Sequence, residues 1–182
     1  LVLIESWPGH ALCWQKPDAS EQPPPPCPEE PVRCLHWGEP CPEHLALMVH
    51  GFYLDGLAEM LRDLPRAGID LYVSTPHWQF HAMAALLRQQ RWPRVRLCAV
   101  PNRGRDLAPF LLQLLPAARA AGHRSFIKLH TKSSPHLSEG KDWAAHLVDS
   151  LLDPVVLDQL LHEPVSGLLA PAGTLVPITL QL

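Results

Sequence analysis

From Leu45 onward, short apolar runs alternate with longer segments whose apolar residues recur with the helical period. Such alternation is typical of strands joined by helical crossovers, which produce a mainly parallel sheet with helices on both faces. The sequence therefore predicts an α/β fold of three layers. The expected strands are residues 45–50, 70–75, 95–100, 125–130 and 166–171, and the expected helices are residues 55–64, 77–91, 107–121, 141–152 and 155–162.

The first 43 residues have a different character from the rest of the chain. They are rich in proline, with four in succession at 23–26, and they show no sustained strand or helix period. We expect irregular or polyproline structure in residues 1–43 and one α/β domain over residues 44–182. The closing run GTLVPITLQL is apolar and β-prone without a stop signal, so we expect that domain to be incomplete at its C-terminus.

Charge and hydropathy exclude some classes of protein. A net charge of −3 with a pI near 6.4 argues against a protein that coats nucleic acid, and no nucleic-acid partner is expected. No run reaches the roughly 18 apolar residues of a membrane span, and the N-terminus lacks a basic region before a hydrophobic signal core. We predict a cytoplasmic protein, with a peripheral position at the inner face of the plasma membrane through partners as the alternative.

The cysteines stand at 13, 27, 34, 41 and 98, an odd number in a chain without an export signal, which favours reduced thiols. Cys27, Cys34, His36 and Cys41 raise the alternative of a zinc site. Six residues separate each successive pair of these three cysteines, whereas about two to four are typical of structural zinc ligands, so zinc is disfavoured. Cys98, inside a predicted strand, is interpreted as a small core residue.

The loop after the third predicted strand, residues 101–106, reads PNRGRD. Gly104 permits a positive φ or close backbone approach, and Arg103 and Arg105 supply forked donors that suit phosphate. Asp106 is placed to be the N-cap of the following helix. The alternative interpretation is a capped turn with two solvated arginines.

A second cationic loop follows the fourth predicted strand. The strand period of two places Lys128 and His130 on one face, and Lys132 joins them if the extended geometry continues. Lys128 lies in an otherwise apolar run, so a partner for its charge is implied. An edge strand with one wet face is the alternative. Because parallel strands end at one edge of a sheet, the two loops together predict a cradle for a diphosphate.

Several strings between residues 45 and 173 resemble those of the rhamnan synthesis protein F family of bacterial polysaccharide biosynthesis, in the same order. They are HGFYLD at 50–55, DLYVSTP at 70–76, VPNRGRDLAPFL at 100–111, IKLHTKSSPH at 127–136, the pattern from Gly140 through Trp143 and Leu147 to Asp149-Ser150-Leu151-Leu152, and GLLAPAG at 167–173. Two positions depart from the family pattern: Ser133 and Leu54 stand where lysine and proline are commoner.

This resemblance implies a glycosyltransferase or glycosyltransferase-like domain within a larger protein that builds rhamnan or lipopolysaccharide O-antigen. The implied fold is similar to GT-A or Rossmann-like nucleotide-sugar domains. Its implied partners are a nucleoside-diphosphate sugar such as dTDP-rhamnose, a lipid-linked or growing polysaccharide acceptor, and other polysaccharide-synthesis domains. His130-Thr131-Lys132 stands where most GT-A enzymes have a metal-binding aspartate-x-aspartate motif, so no metal or other cofactor is expected.

The expected roles of individual residues follow from the two loops and this resemblance. Asp106 and His130 are the candidates for the catalytic base, with Asp149 and His136 as alternatives. A non-catalytic module that binds a sugar nucleotide or glycan is the rival hypothesis, and a phosphoesterase is disfavoured because no P-loop or nucleophile elbow occurs. The residues expected at the donor diphosphate are Asn102, Arg103, Gly104, Arg105, Lys128, Thr131, Lys132, Ser133, Ser134 and His136, and those expected to contact sugar, nucleotide or acceptor are His50, Tyr53, Asp55, Trp143 and Asp149.

Overall fold

A mixed sheet of five strands forms the centre of the structure, a computed structural model that describes residues 31–131, 148–162 and 170. The four strands predicted between residues 45 and 130 are confirmed, whereas the strand predicted at 166–171 lies almost wholly outside the described residues. The strands are β1 (Arg33–Trp37), β2 (Leu45–His50), β3 (Ile69–Pro76), β4 (Val95–Val100) and β5 (Phe126–His130).

Helical segments separate β2, β3, β4 and β5 at the predicted places. None in the described part of the chain is long and apolar enough to cross a membrane. The predicted helix 141–152 is described only from residue 148, where residues 148–151 are helical. The others are α1 (Leu54–Arg62), a 3₁₀ turn (His77–Gln79) that leads into α2 (Phe80–Gln89), α3 (Leu107–Pro109), a π-helical turn (Phe110–Leu114), α4 (Leu115–Ala120) and α5 (Pro154–His162).

The strand order across the sheet is β1-β4-β3-β2-β5. Three strand pairs are parallel, β2 with β3, β3 with β4, and β2 with β5, so the sheet is mainly parallel as predicted. The chain proceeds outward from β2 to β4 and then returns across the sheet to place β5 on the other side of β2. The order of strands consequently reverses between β2 and β5.

Alternate residues of β2 face two different layers. Leu45, Leu47 and Val49 belong to the larger core cluster, which includes Leu57 of α1 and Met83 of α2. Ala46 and Met48 face the opposite side, where Leu114 and Ala118 cover them. Burial on both faces explains why β2 is apolar at nearly every position, and it confirms the predicted three layers.

One continuous helical stretch, residues 107–120, covers the smaller core cluster and is named here the crossover helix. Pro116 has no N–H to donate to the carbonyl four residues earlier, and the wider π-helical turn directly precedes α4. The crossover helix thus carries the chain from the loop after β4 back over the sheet to β5.

Strand β1 corrects the prediction of irregular structure throughout residues 1–43. Arg33–Trp37 pairs antiparallel with β4 at the edge of the sheet, and Leu35 and Trp37 pack against the larger core cluster. The Trp37 Nε1–H donates to the Trp92 carbonyl over 2.8 Å. This strand was not predicted, because its alternating pattern is short and prolines surround it. A five-residue strand gains its stability from pairing with a partner that is distant in sequence, which a local pattern does not show.

The prediction that the thiols are reduced is wrong for two of the five cysteines. The register of β1 on β4 sets Cys34 directly opposite Cys98, and the two form a disulfide across 64 positions of sequence. Cys34 is therefore not a zinc ligand, and Cys98 is more than a small core residue. Sequence spacing cannot reveal such a pair, since the pairing depends on which strands become neighbours.

Candidate functional site

The carboxyl ends of β2 and β5 lie side by side at the point where the strand order reverses. Parallel pairing sets Met48 opposite Lys128 and His50 opposite His130, so these side chains share one face of the sheet. This is the face that the crossover helix covers, and the helix begins next to it at Leu107. Open parallel sheets present their ligand sites at such a reversal.

Asp106, the last residue of the loop after β4, meets β5 here. Lys128 Nζ donates to Asp106 Oδ2, and His130 Nδ1 lies 3.6 Å from the same oxygen. The side chains of Lys128 and Asp106 are only 26% and 20% exposed. Together with His50 these residues are named the Asp106 cluster. The structure therefore brings the loop after β4 against β5, and it supplies the partner that the burial of Lys128 implied. The loop that follows β5 lies outside the described residues from Lys132 onward.

The carboxylate of Asp106 is held in its ionised form. Burial by itself would raise the pKa of Asp106, but the hydrogen bond from Lys128 and the positive charges of His130 and Lys128 outweigh it and lower that pKa. Asp106 occupies the position before α3 as predicted, yet its side chain makes no capping hydrogen bond.

His50 is the most enclosed member of the Asp106 cluster, at 8% exposed. Its Nδ1 lies 2.9 Å from Ser74 Oγ on the neighbouring strand. Burial lowers the pKa of His50, and the positive charges of His130 and Lys128 lower it further, whereas Asp106 acts in the opposite direction. His50 is therefore neutral at physiological pH and offers a polar imidazole edge rather than a charge.

The loop after β4, residues 101–106, is named here the arginine loop, and it is tightly turned. Gly104 has the predicted positive φ, at 69°, and Arg105 also has a positive φ, at 51°. A side chain at position 104 would collide with Ala108, so glycine is required there. Arg103 and Arg105 are both exposed, on the loop that ends in Asp106. A left-handed conformation at a non-glycine residue is strained, and such strain is typical of functional loops.

Thr131 has a different position from the one expected of a phosphate ligand. It is buried, and its Oγ1 accepts the backbone N–H groups of Phe52 and Tyr53 over 2.8 and 2.9 Å. Its hydroxyl also lies 3.4 Å from the His50 carbonyl oxygen. Within the described structure, the hydrogen bonds of Thr131 thus connect the loop after β2 to the end of β5.

That loop presents an aromatic surface at the same edge of the sheet. The rings of Phe52 and Tyr53 are 5.0 Å apart, and the rings of Phe52 and Trp78 are 6.1 Å apart. Tyr53 is 41% exposed and Trp78 is 64% exposed. Trp78 was missed by sequence reasoning, which assigned it to a helix; a tryptophan two residues after the end of β3 is a signal that could have found it.

The remaining predicted site residues are placed as follows. Asn102 is exposed in the arginine loop, and Asp55 is exposed in the first turn of α1. Asp149 is exposed in helical residues 148–151. Leu151 of this segment and the adjacent Leu152 pack on the larger core cluster, across the sheet from Asp106. No group of three metal-ligating side chains occurs within the described ranges. Predictions for Lys132, Ser133, Ser134, His136 and Trp143 fall outside them.

Comparison with known families matches residues 35–176 to the family described as rhamnan synthesis protein F. The chain belongs to the rhamnan synthesis protein F family. The resemblance seen in the sequence motifs is thereby confirmed, and the match includes the whole parallel part of the sheet together with the Asp106 cluster. The name of the family connects the chain with the synthesis of rhamnan, a polysaccharide.

Two curated relatives support the assignment to the rhamnan synthesis protein F family. Both are called uncharacterized protein WxcX, from two strains of Xanthomonas campestris pv. campestris, and each is 30% identical over 147 residues. The aligned part covers 78% of this chain but 21% of each relative, so the chain spans about a fifth of their length. No solved structure matches the chain at a significant level.

Proposed function

We propose that the Asp106 cluster and the arginine loop bind the diphosphate of a nucleoside-diphosphate sugar, and that the chain is a glycosyltransferase domain of bacterial cell-surface polysaccharide synthesis. The ion pair between Lys128 and Asp106 carries this proposal, because it joins β5 to the loop that holds the two arginines, beside the strand-order reversal. Membership in the rhamnan synthesis protein F family supports a sugar substrate. A dTDP-rhamnose donor and a growing glycan acceptor are the proposed reactants.

The charges of the site favour a multiply charged anion. Arg103, Arg105 and Lys128 bring three positive charges near the single carboxylate of Asp106. In the unliganded protein, Asp106 neutralises Lys128, which would otherwise be partly buried without a partner. A diphosphate carries more negative charge than one carboxylate, so it would attract Lys128 and the two arginines together. Asp106 would then remain close to His130.

The proposed transfer step uses His130 as the base. In its neutral form, the imidazole takes the proton from an acceptor hydroxyl, the acceptor oxygen forms a bond to the anomeric carbon, and the bond from that carbon to the diphosphate breaks. The electron pair of the broken bond leaves on the diphosphate oxygen, where the cations stabilise it. His130 is preferred to Asp106, because the lowered pKa of Asp106 makes its carboxylate a weak base.

Donor binding without a metal ion is part of the proposal. The arginine loop and Lys128 would take the place that a divalent cation holds in many nucleotide-sugar enzymes. The affinity for dTDP should therefore be the same in the presence and absence of EDTA. An affinity that collapses on chelation would refute this part of the proposal.

A binding module without catalytic activity is the second candidate function. It is favoured by one observation: the carboxylate nearest to the proposed diphosphate site is ion-paired and has a lowered pKa. Incubation of the chain with dTDP-rhamnose separates the two functions, since a transferase releases some rhamnose to water and a pure binding module releases none.

Calorimetric titration with dTDP tests the site itself. Replacing Arg105 with glutamine should weaken binding by roughly tenfold or more, which corresponds to the loss of a charged hydrogen bond. Arg62→Gln is the matched control, because Arg62 is exposed at the far end of α1 and should leave the affinity unchanged. Equal affinities for all three proteins would contradict the proposed site.

A further inference from the structure

A second cleft lies at the amino ends of β3 and β4, the opposite edge of the sheet from His50 and His130. Its volume is about 220 Å³. The cleft opens between the chain segment after β1 and the last turn of the crossover helix. The polar and charged side chains that line it are His36, Glu39, Asp70, Tyr72, Arg94 and Arg96.

Asp70, at 2% exposed, is the buried carboxylate of this cleft, and the surrounding protein neutralises it. Arg94 Nε donates to Asp70 Oδ1 over 2.7 Å, and His44 Nδ1 lies 2.8 Å from the same oxygen. The backbone N–H of Cys41 donates to Oδ2 over 2.7 Å. The charges of Asp70 and Arg94 therefore cancel, and neither sets the net charge of the cleft.

Arg96 is the positive charge that remains. Its Nε is shielded from solvent and has no hydrogen-bond partner among the described residues. Glu39, the other carboxylate of the lining, is exposed and makes no ion pair with Arg96 within the described structure. A buried donor without an acceptor is costly, and the guanidinium fork is shaped to grip an oxyanion with two parallel hydrogen bonds.

Tyr72 supplies a neutral hydroxyl on the same wall, since β3 pairing sets it opposite Arg96. The Tyr72 hydroxyl lies 3.0 Å from His123 Nε2, which is also 3.5 Å from Asp70 Oδ2. His123 Nδ1 lies 2.9 Å from the His44 carbonyl oxygen. Burial, and next the charge of Asp70, raise the pKa of Tyr72 to about 12, against the opposing effect of Arg96. Tyr72 thus remains protonated and adds no negative charge to the cleft.

The negative end of the crossover helix does not cancel this positive charge. The carbonyls of Ala117, Ala118 and Arg119 already accept the N–H groups of residues 121–123. These carbonyl oxygens, which carry the partial negative charge of the helix end, are therefore hydrogen-bonded within the protein.

We infer that this cleft is a binding site for one small oxyanion, a phosphate or a short carboxylate, with Arg96 as its principal ligand. Pockets for drug-sized ligands occupy roughly 300–1,000 Å³, so a cleft of about 220 Å³ suits a ligand of few atoms. The site is separate from the proposed diphosphate site, because the two lie at opposite ends of the strands.

The experiment follows the Nε–Hε resonance of Arg96 by NMR while phosphate or acetate is added to the chain at constant ionic strength. We expect a saturable shift of Arg96 with at least one of the two anions, and the one that saturates identifies the ligand class. The resonance of Arg62, which is exposed on the other face, should not show saturation. The response of Arg96 should persist in Arg105→Gln, which separates this cleft from the diphosphate site.

Calorimetry on variants adds an independent readout. Arg96→Gln should weaken binding of the same anion by roughly tenfold or more, and Arg96→Lys, which keeps the charge but loses the fork, should weaken it less. Circular dichroism establishes whether each variant is folded. If Arg96→Gln does not fold, the NMR titration of the unaltered chain still tests the inference. The inference is overturned if Arg96 fails to shift, or if it shifts without saturation in parallel with Arg62.

Discussion

Lys128 and Asp106 are 22 positions apart in the sequence, and they form an ion pair across the carboxyl edge of the sheet. One belongs to β5 and the other to the loop after β4, which lies three strands away in the sheet order. The crossover helix makes the contact possible, because it starts at Leu107 directly after Asp106 and returns over the sheet. The ion pair therefore fixes the position of the arginine loop relative to β5.

Removing the cation should release the pKa of Asp106. In Lys128→Met, burial is no longer offset by the hydrogen bond from Lys128, so the pKa of Asp106 should rise above its value in the unaltered chain. The measurement is the carboxyl ¹³C titration of Asp106 by NMR. Arg62→Met is the control and should leave that titration in place. A pKa for Asp106 that is the same in both variants would show that the ion pair is absent in solution.

The same ion pair should make stability depend on acid pH. The folded-state pKa of Asp106 is lowered, so its contribution is present above the unfolded pKa and is lost as pH falls through the folded value. We expect Lys128→Met to lower the free energy of unfolding by about 1–2 kcal/mol at pH 7. That difference should shrink below about pH 4. Urea unfolding at pH 7 and pH 3 measures it, and a difference independent of pH would contradict the assignment.

His50 should titrate below the usual range for histidine. Its folded-state pKa is lowered, so its neutral form favours folding above the unfolded pKa of about 6.5, and stability is lost as pH falls below that value. In His50→Gln, the decrease in stability between about pH 7 and pH 5 should be smaller than in the unaltered chain. Urea unfolding across that pH range provides the comparison. Identical pH profiles would argue against a buried neutral imidazole.

Replacing Arg105 with glycine should make the folded protein more stable and should weaken its binding of dTDP. Its φ of 51° is strained for arginine but not for glycine, so Arg105→Gly should raise the free energy of unfolding by up to about 1 kcal/mol. The same variant should bind dTDP more weakly, as Arg105→Gln does. Thermal unfolding and calorimetry measure the two effects. A variant that is both less stable and equally tight in binding would contradict the functional interpretation of the strain.

The hydroxyl of Thr131 should hold the loop after β2 in place, and a serine hydroxyl should be able to do the same. Thr131→Val removes the acceptor of two backbone N–H groups, those of Phe52 and Tyr53, and should cost about 1–3 kcal/mol of stability. Thr131→Ser should retain most of that stability. Hydrogen exchange at the Phe52 and Tyr53 amides gives the specific readout, since exchange should accelerate in the valine variant alone. Unchanged exchange would mean that another group holds the loop.

The local part of the fold could be predicted from the sequence. The four predicted strands between residues 45 and 130 are either apolar at nearly every position or alternate between apolar and polar residues. The segments between them have apolar residues at helical spacing. Strands and helices were therefore assigned correctly in this range. The positive φ of Gly104 was also predicted, as was the meeting of the loop after β4 with the end of β5 at one edge of the sheet, because parallel strands end together.

The tertiary structure decided which partners these residues have. It set Cys34 opposite Cys98, buried Thr131 under two backbone amides, paired Lys128 with Asp106, and left Arg96 Nε without a partner among the described residues. Sequence patterns have the periods of single helices and strands, so they report which face a residue occupies. They do not report the neighbour across the sheet, because the register and order of strands depend on contacts distant in sequence.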